Sequence, residues 1–381
     1  MRLIISTTIR QVGAEKKSGY LYSVDWDKKK ILQRSSIAEP PYREVDLNPR
    51  GGMRGSKGIA IRADRVAITN TSAIFIYDSA WNLLRTITHP SCAGIHDILF
   101  QEDTIWATAS RSDMVFQFDF EGNLLDSTYL REPNSVRQKM GWNPPILLSK
   151  EEIIAGKIDF RDPRTHDLET HDNAHVNSIC ELENGDLLVS LGLILELNFL
   201  NLLRIKRWLK DKKIWGSFLA LNRKISRLLN CQRKMHSDLV FQPVKGRSAI
   251  VRISKKGDIQ PFLVLDEKIV PSHSLLSLSK DLLFYLDTTE GSILEINAKT
   301  GQVLKSTKIT EGFLRGVTQI SENSLVLGSK GELIVFNLES RTVQERMQIT
   351  DMPHESVFDI EILPSNFELP PNMLGERISV A

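Results

Sequence analysis

The stretch from Ser272 to Met347 carries the same unit twice, first as SHSLLSLSKDLLFYLDTTEGSILEINAKTGQVLKST and then as LRGVTQISENSLVLGSKGELIVFNLESRTVQERM. Each copy opens on a polar residue and continues as four alternating apolar runs separated by short charged or glycine-containing turns. His273 and Arg315 stand at equivalent places about forty residues apart, the length of one four-stranded propeller blade. A chain that repeats at this period cannot bury one unit alone, so the repeat dictates a ring of stacked sheets.

The same grammar extends in both directions. A unit opens at Ser56-Lys57-Gly58, with strands expected at 59–62, 65–69, 73–78 and 83–88. The next opens at Ile95-His96-Asp97, with strands at 98–101, 104–109, 114–119 and 124–128. A further unit begins with NAHVNSICELENGDLLVSLG, is interrupted between Leu193 and Gly246, and resumes as SAIVRISKKGDIQPFLVL. The terminal stretch HESVFDIEIL is one alternating strand with no continuation, while residues 2–7, 20–26 and 30–36 form three strands that lack an opening. Together they make one mixed blade with 357–363 innermost, which joins the chain ends and removes exposed sheet edges. The expected fold is therefore all-β, a single six-bladed β-propeller domain over residues 1–381 with an insertion at 193–246. Residues 129–172 break the pattern. Pro133, Pro144, Pro145 and Pro163 exclude long regular elements, only 146–155 reads as structured, and the segment is expected to be a long loop rather than a degenerate blade.

Just before each innermost strand stands a polar residue: Lys57, His96-Asp97, His175 with Asn177, His273, Arg315 and His354-Glu355. Innermost strands surround a channel, so these residues, distant in sequence, are expected to meet at its mouth. Four of the eight histidines fall at these positions. His96, His175, His273 and His354 are the candidate acid–base groups, because imidazole titrates near neutral pH. Lys57, Asp97, Asn177, Arg315 and Glu355 are the candidate ligand-binding groups. Lys57 and Arg315 would concentrate an anion in a low-dielectric funnel. Converging histidines can also hold zinc, but two fixed cations beside them oppose a metal, and none is expected. His166, His171 and Asp172, ahead of the His175 opening, are either a lid or solvated loop residues. The sequence names no cofactor.

Net charge is only +2, but it is unevenly placed. Between Arg204 and Lys234 there are eleven Lys or Arg and one acid, Asp211, so this segment carries about +10. Leu202, Ile205 and Leu209, and later Leu221, Ile225, Leu228 and Leu229, recur at helical spacing. With Trp208, Trp215 and Phe218 among the cations, a basic helical insertion is expected that could touch an anionic membrane surface or an acidic protein. Nucleic acid is not an expected partner, since no nucleic-acid module accompanies the charge. Cys92, Cys180 and Cys231 form no CxxC pair and read as reduced, buried thiols. The opening MRLIISTTIRQ reads as a strand, too short in apolar residues for a secretory segment, so a cytoplasmic, membrane-peripheral location is expected.

The blade pattern resembles the six-bladed propellers that include NHL-repeat proteins, bacterial arylsulfotransferases and peptide-amidating lyases. The likeness spans most of the chain outside the two interruptions. PSHSLLSL with LEINAKTGQVL resembles an arylsulfotransferase or amidating-lyase blade, in which an inner-strand histidine serves the active site. That resemblance implies a role for His273 and, less directly, for His96, His175 and Arg315. Two functions follow as expectations. One is a transferase or lyase acting at the channel mouth on an anionic small molecule or sugar. The other is a non-catalytic propeller that scaffolds proteins or a membrane surface.

Overall fold

The computed structural model describes residues 1–10, 12, 16–45, 55–142, 148–165, 172–194, 209, 212–214, 217, 220–221, 246–372 and 374. Six four-stranded antiparallel sheets form the fold, a six-bladed β-propeller. The inner strands, in ring order, are Ile59–Arg62, Ile95–Gln101, Val176–Glu181, His273–Ser277, Val317–Ser321 and Glu355–Leu363, and each touches the next around the circle. They define blades one to six.

Burial falls from the axis outward, as the apolar content of each strand dictates. In blade four, Leu282–Asp287 is almost wholly buried, whereas the outermost strand Val303–Lys308 is mostly exposed. Middle strands are apolar on both faces because each sheet is packed between two others. Leu3, Ile5, Tyr22 and Val24 of blade six thus share a cluster with Val326, Leu333 and Val335 of blade five. Each such fully buried aliphatic or aromatic side chain contributes about 1.5–3 kcal/mol.

Blade six is built from both chain ends. Glu355–Leu363 pairs antiparallel with Arg2–Ile9, from Arg2 opposite Leu363 to Ile9 opposite Glu355, with a bulge at Ser6/Thr7. Tyr20–Asp25 and Lys30–Ser36 complete the sheet. The chain after this strand crosses back over the first blade. Arg2 donates to the Pro364, Ser365 and Phe367 carbonyls, and the Trp81 indole donates to Glu368 O at 2.8 Å.

A second set of bonds laces the inner strands together at one level. Asp97 Oδ2 accepts from Ser178 Oγ (2.8 Å) and from the Ile179 amide (3.0 Å). Ser178 Oγ accepts from the Leu275 amide (2.9 Å), Ser274 Oγ from the Gly316 amide (2.9 Å), and Asp359 Oδ2 from the Ile59 amide (2.8 Å). Each acceptor belongs to one blade and each amide to the blade after it. The two remaining places at this level are Gly58 and Gly316. A Cβ on Gly58 would lie 2.9 Å from Asp97 Cα, and one on Gly316 3.2 Å from Asp359 Cα. Backbone approach there leaves no room for a side chain.

Blade three is continuous across its interruption. Leu187–Ile194 pairs with Gly246–Ile253, so the sheet closes without the intervening chain. The helical reading of 193–246 and the basic segment 204–234 lie almost entirely outside the described residues. Within 129–172 the described residues hold more regular structure than the sequence reading expected. Helices run over Asn134–Met140 and Lys150–Ile154, the second opened by a Ser149/Glu152 capping box. The first was missed because it spans only seven residues after a proline. Its Val136 and Met140, with Leu130 and Trp142, pack into the core of blade three. A buried Arg131–Asp113 ion pair at 2.9 Å fastens the segment.

Candidate functional site

The expected openings of blades one to five converge. The His96 and His175 rings lie 4.6 Å apart between centroids, His175 and His273 5.8 Å, and His96 and His273 6.4 Å. His96 Nδ1 is 2.7 Å from Gly94 O. A carbonyl only accepts, so Nδ1 carries the proton and the neutral ring presents a lone pair at Nε2. His273 sits 5% exposed on the wall, its Nδ1 3.4 Å from Thr288 Oγ1. Burial, then the charge of Lys57, holds the His96 pKa well below the usual histidine value. Burial and Arg315 do the same at His273. Both imidazoles are therefore neutral at neutral pH.

Arg315 stacks its guanidinium on the Phe358 ring, 3.3 Å from Cζ to centroid, a desolvated cation–π contact worth about 2 kcal/mol. The Lys57 ammonium lies 5.8 Å from the same ring. Burial lowers the Lys57 pKa strongly, and the charges of Arg315 and Arg111 lower it further. Asn177 is held by its Nδ2, which donates to Ser272 O at 2.6 Å. His175 is set in place by Asp172, which accepts its amide at 3.1 Å and lies 3.5 Å from its Nδ1.

These residues do not all face one space. A cavity of about 470 Å³ runs along the axis, lined by His96, Asn177, His273, Arg315 and Phe358 at one end and by residues such as Arg62 and Glu181 towards the ends of the inner strands. The opening residues thus form its floor. Lys57 and His175 do not line the cavity and act on the floor from behind. Three atoms of floor residues are buried with no hydrogen-bond partner among the described residues: His273 Nε2, Arg315 Nη2 and Asn177 Oδ1.

Two expected site residues stand apart. His354 is exposed, at a positive φ of 65° one residue before the strand. Glu355 is buried inside blade six, where Thr7, Tyr22 and Thr350 donate to its carboxylate. The inner strand of this blade is nine residues long, because its bulged partner carries it further. Its opening is therefore Phe358-Asp359, not His354-Glu355. The missing signal is a triplet. Lys57-Gly58-Ile59, His96-Asp97-Ile98, Asn177-Ser178-Ile179, His273-Ser274-Leu275 and Arg315-Gly316-Val317 all read large polar, then Gly, Ser or Asp, then aliphatic, and Phe358-Asp359-Ile360 completes the set.

Sequence reasoning named Asp97 but missed the acidic wall it belongs to. Asp97, Asp359 and Glu361 line the cavity beside the floor. Burial raises the Asp97 carboxyl to about 6. It raises Asp359, with help from the charge of Asp97, to about 8. Glu361 is pushed well above the carboxylate range by burial and by both aspartates. His166 and His171 lie outside the described residues, and among the described residues no group of three or more His, Cys, Asp or Glu could hold a metal ion.

No protein-family profile and no curated protein matches the chain. Similar solved structures include a protein of unknown function from Bacteroides caccae, with a TM-score of 0.51 at 9% identity, covering 94% of this chain and 97% of that one. A chain of a nidogen/laminin complex gives 0.50 at 10% identity over 94% and 97%. A streptogramin B lyase gives 0.45 at 13% identity over 80% and 70%. At these identities the likeness establishes the six-bladed propeller fold and nothing finer.

Proposed function

We propose that the chain binds an anionic small molecule or sugar on the floor of its axial cavity, and that this floor is equipped for the proton-transfer step of a lyase or transferase. The observation that carries the reading is the set of three buried atoms without partners among the described residues, His273 Nε2, Arg315 Nη2 and Asn177 Oδ1, all on residues that line one cavity. Leaving a buried polar atom unpaired costs about 1–3 kcal/mol, so three together mark a place where a ligand supplies the missing bonds. Arg315 offers the charge. Its guanidinium is a fixed planar donor that suits carboxylate, sulfate or phosphate oxygens. The nearby guanidinium groups of Arg111 and Arg10 add a positive field. His96 and His273, neutral and bearing free lone pairs, can take a proton from a bound substrate.

The test is a thermal-shift and calorimetric screen of the purified protein with glucuronate, gluconate, sulfate, phosphate and uncharged sugars. Ligand at a hundredfold its Kd stabilises by about 2.7 kcal/mol, well within reach of a melting curve. Stabilisation by at least one anionic probe, lost in Arg315→Met, is the expected result. No shift with any probe, or a shift indifferent to Arg315→Met, would refute the floor as a ligand site.

A further inference from the structure

The acidic wall extends the floor reading, on which the inference rests, to a class of ligand. Asp359 and Glu361 are two residues apart on one strand, so their side chains share the face that lines the cavity. Asp97 joins them from blade two. Asp97 and Asp359 accept backbone amides through both oxygens. Among the described residues none of the three carboxyls has a Lys or Arg ion-pair partner, although each lies in a space that also holds Arg315. The Glu361 carboxyl accepts from the Ile362 amide, and among the described residues no Lys or Arg pairs with it. An acidic protein surface needs no explanation, but three carboxyls facing one another inside a channel repel and lose hydration. A cation between them removes both penalties.

We propose that the ligand is zwitterionic, with its anionic end on Arg315 and an ammonium group against Asp97, Asp359 and Glu361. The spacing follows from the strand. Arg315 lies at the level of Phe358, which it stacks on, and Glu361 is three residues further. At about 3.3 Å per residue the two ends of the ligand are about 7–10 Å apart. This is the span of an extended ω-amino acid, of a basic amino acid between its carboxylate and side-chain amine, or of an amino sugar acid. A simple dicarboxylate carries no ammonium group to donate to the three carboxyls. Other charged or titratable groups facing the same space are Arg62, Glu181 and His96. Arg62 and Glu181 belong to the far end of the cavity, and His96 to the floor.

The experiment titrates the intact protein calorimetrically, near neutral pH and at low salt, with 6-aminohexanoate, hexanoate and hexylamine. Wild type is expected to bind 6-aminohexanoate about tenfold or more tighter than hexanoate, the scale of one charge-assisted bond. Glu361→Gln, whose amide oxygen can still accept from the Ile362 amide, is expected to bring the two affinities together, and Arg315→Met to weaken both. Circular dichroism melts verify that the variants are folded, and Glu361→Lys, expected to favour adipate over 6-aminohexanoate, gives a second reading. Equal binding of 6-aminohexanoate and hexanoate by wild type, still lost in Arg315→Met, overturns the ammonium wall and leaves the anion floor standing. Binding of Ca²⁺ or Mg²⁺ alone that is lost in Glu361→Gln overturns it in favour of a metal. If no probe and no anion binds at all, both readings fall.

Discussion

At the scale of single residues, the site is a balance of groups whose protonation burial has reversed. Asp359 and Glu361 hold protons more tightly in the folded chain than in the unfolded one. The folded state then binds more protons than the unfolded state above about pH 4, and stability falls as pH rises through the folded-state values. His96 and His273 act in the opposite sense. Their folded-state pKa lies below the unfolded one, so the stability they permit is present above about pH 6.5 and is lost as pH falls. A melting-temperature profile therefore bends downward on both sides. Glu361→Gln is expected to flatten the alkaline limb and His273→Gln the acid limb; limbs unchanged by these substitutions would contradict the assigned burial. The Arg315, His96 and His273 positions were legible in the sequence because polar residues stand out before an apolar run. The wall was not legible, since an Asp or Glu alternating with Ile reads as an ordinary half-exposed strand until the ring closes around it.

Among elements, the inner strands do more than line the axis. Gly58 occupies a point where blades one and two touch backbone to backbone. Gly58→Ala forces a Cβ to 2.9 Å from Asp97 Cα and is expected to cost about 1–3 kcal/mol by overpacking. Gly257→Ala meets nothing within 4 Å, has a φ of +85°, and is expected to cost only the roughly 1 kcal/mol of its backbone conformation. Chemical denaturation of both variants checks the contrast; equal losses would mean that the inner ring tolerates separation. Ser178→Ala removes a donor to Asp97 and an acceptor for Leu275 at once, and about 1–3 kcal/mol is expected from the amide and carboxylate left short of partners. Strand positions were legible from alternation, and most boundaries agree within two residues. The short helix Asn134–Met140 was not, because one and two-thirds turns after a proline carry too few apolar repeats to show a period. Its role is tertiary: it fills the side of blade three.

For the whole molecule, closure by blade six turns a row of sheets into a ring. The repeat showed six blades before any coordinates, since an orphan strand at one end and a blade missing its inner strand at the other can only complete each other. Its opening was misplaced by four residues because the strand is extended by a bulged partner, and a bulge leaves no mark in hydrophobic alternation. Truncation after Pro353 exposes the edge of Arg2–Ile9 and removes Asp359 from the inner ring, and is expected to lower the melting temperature sharply; an unchanged melt would deny the closure. The central claim is that this ring brings Arg315, His273 and Asn177, from three blades, to one ligand. The most direct measurement is a crystal structure of the protein soaked with glucuronate. The account predicts an anionic oxygen within hydrogen-bond distance of Arg315 Nη2 and a ligand hydroxyl donating to His273 Nε2, at the floor of the cavity. Ligand density elsewhere, with those two atoms turned apart or bonded to protein groups, would contradict it.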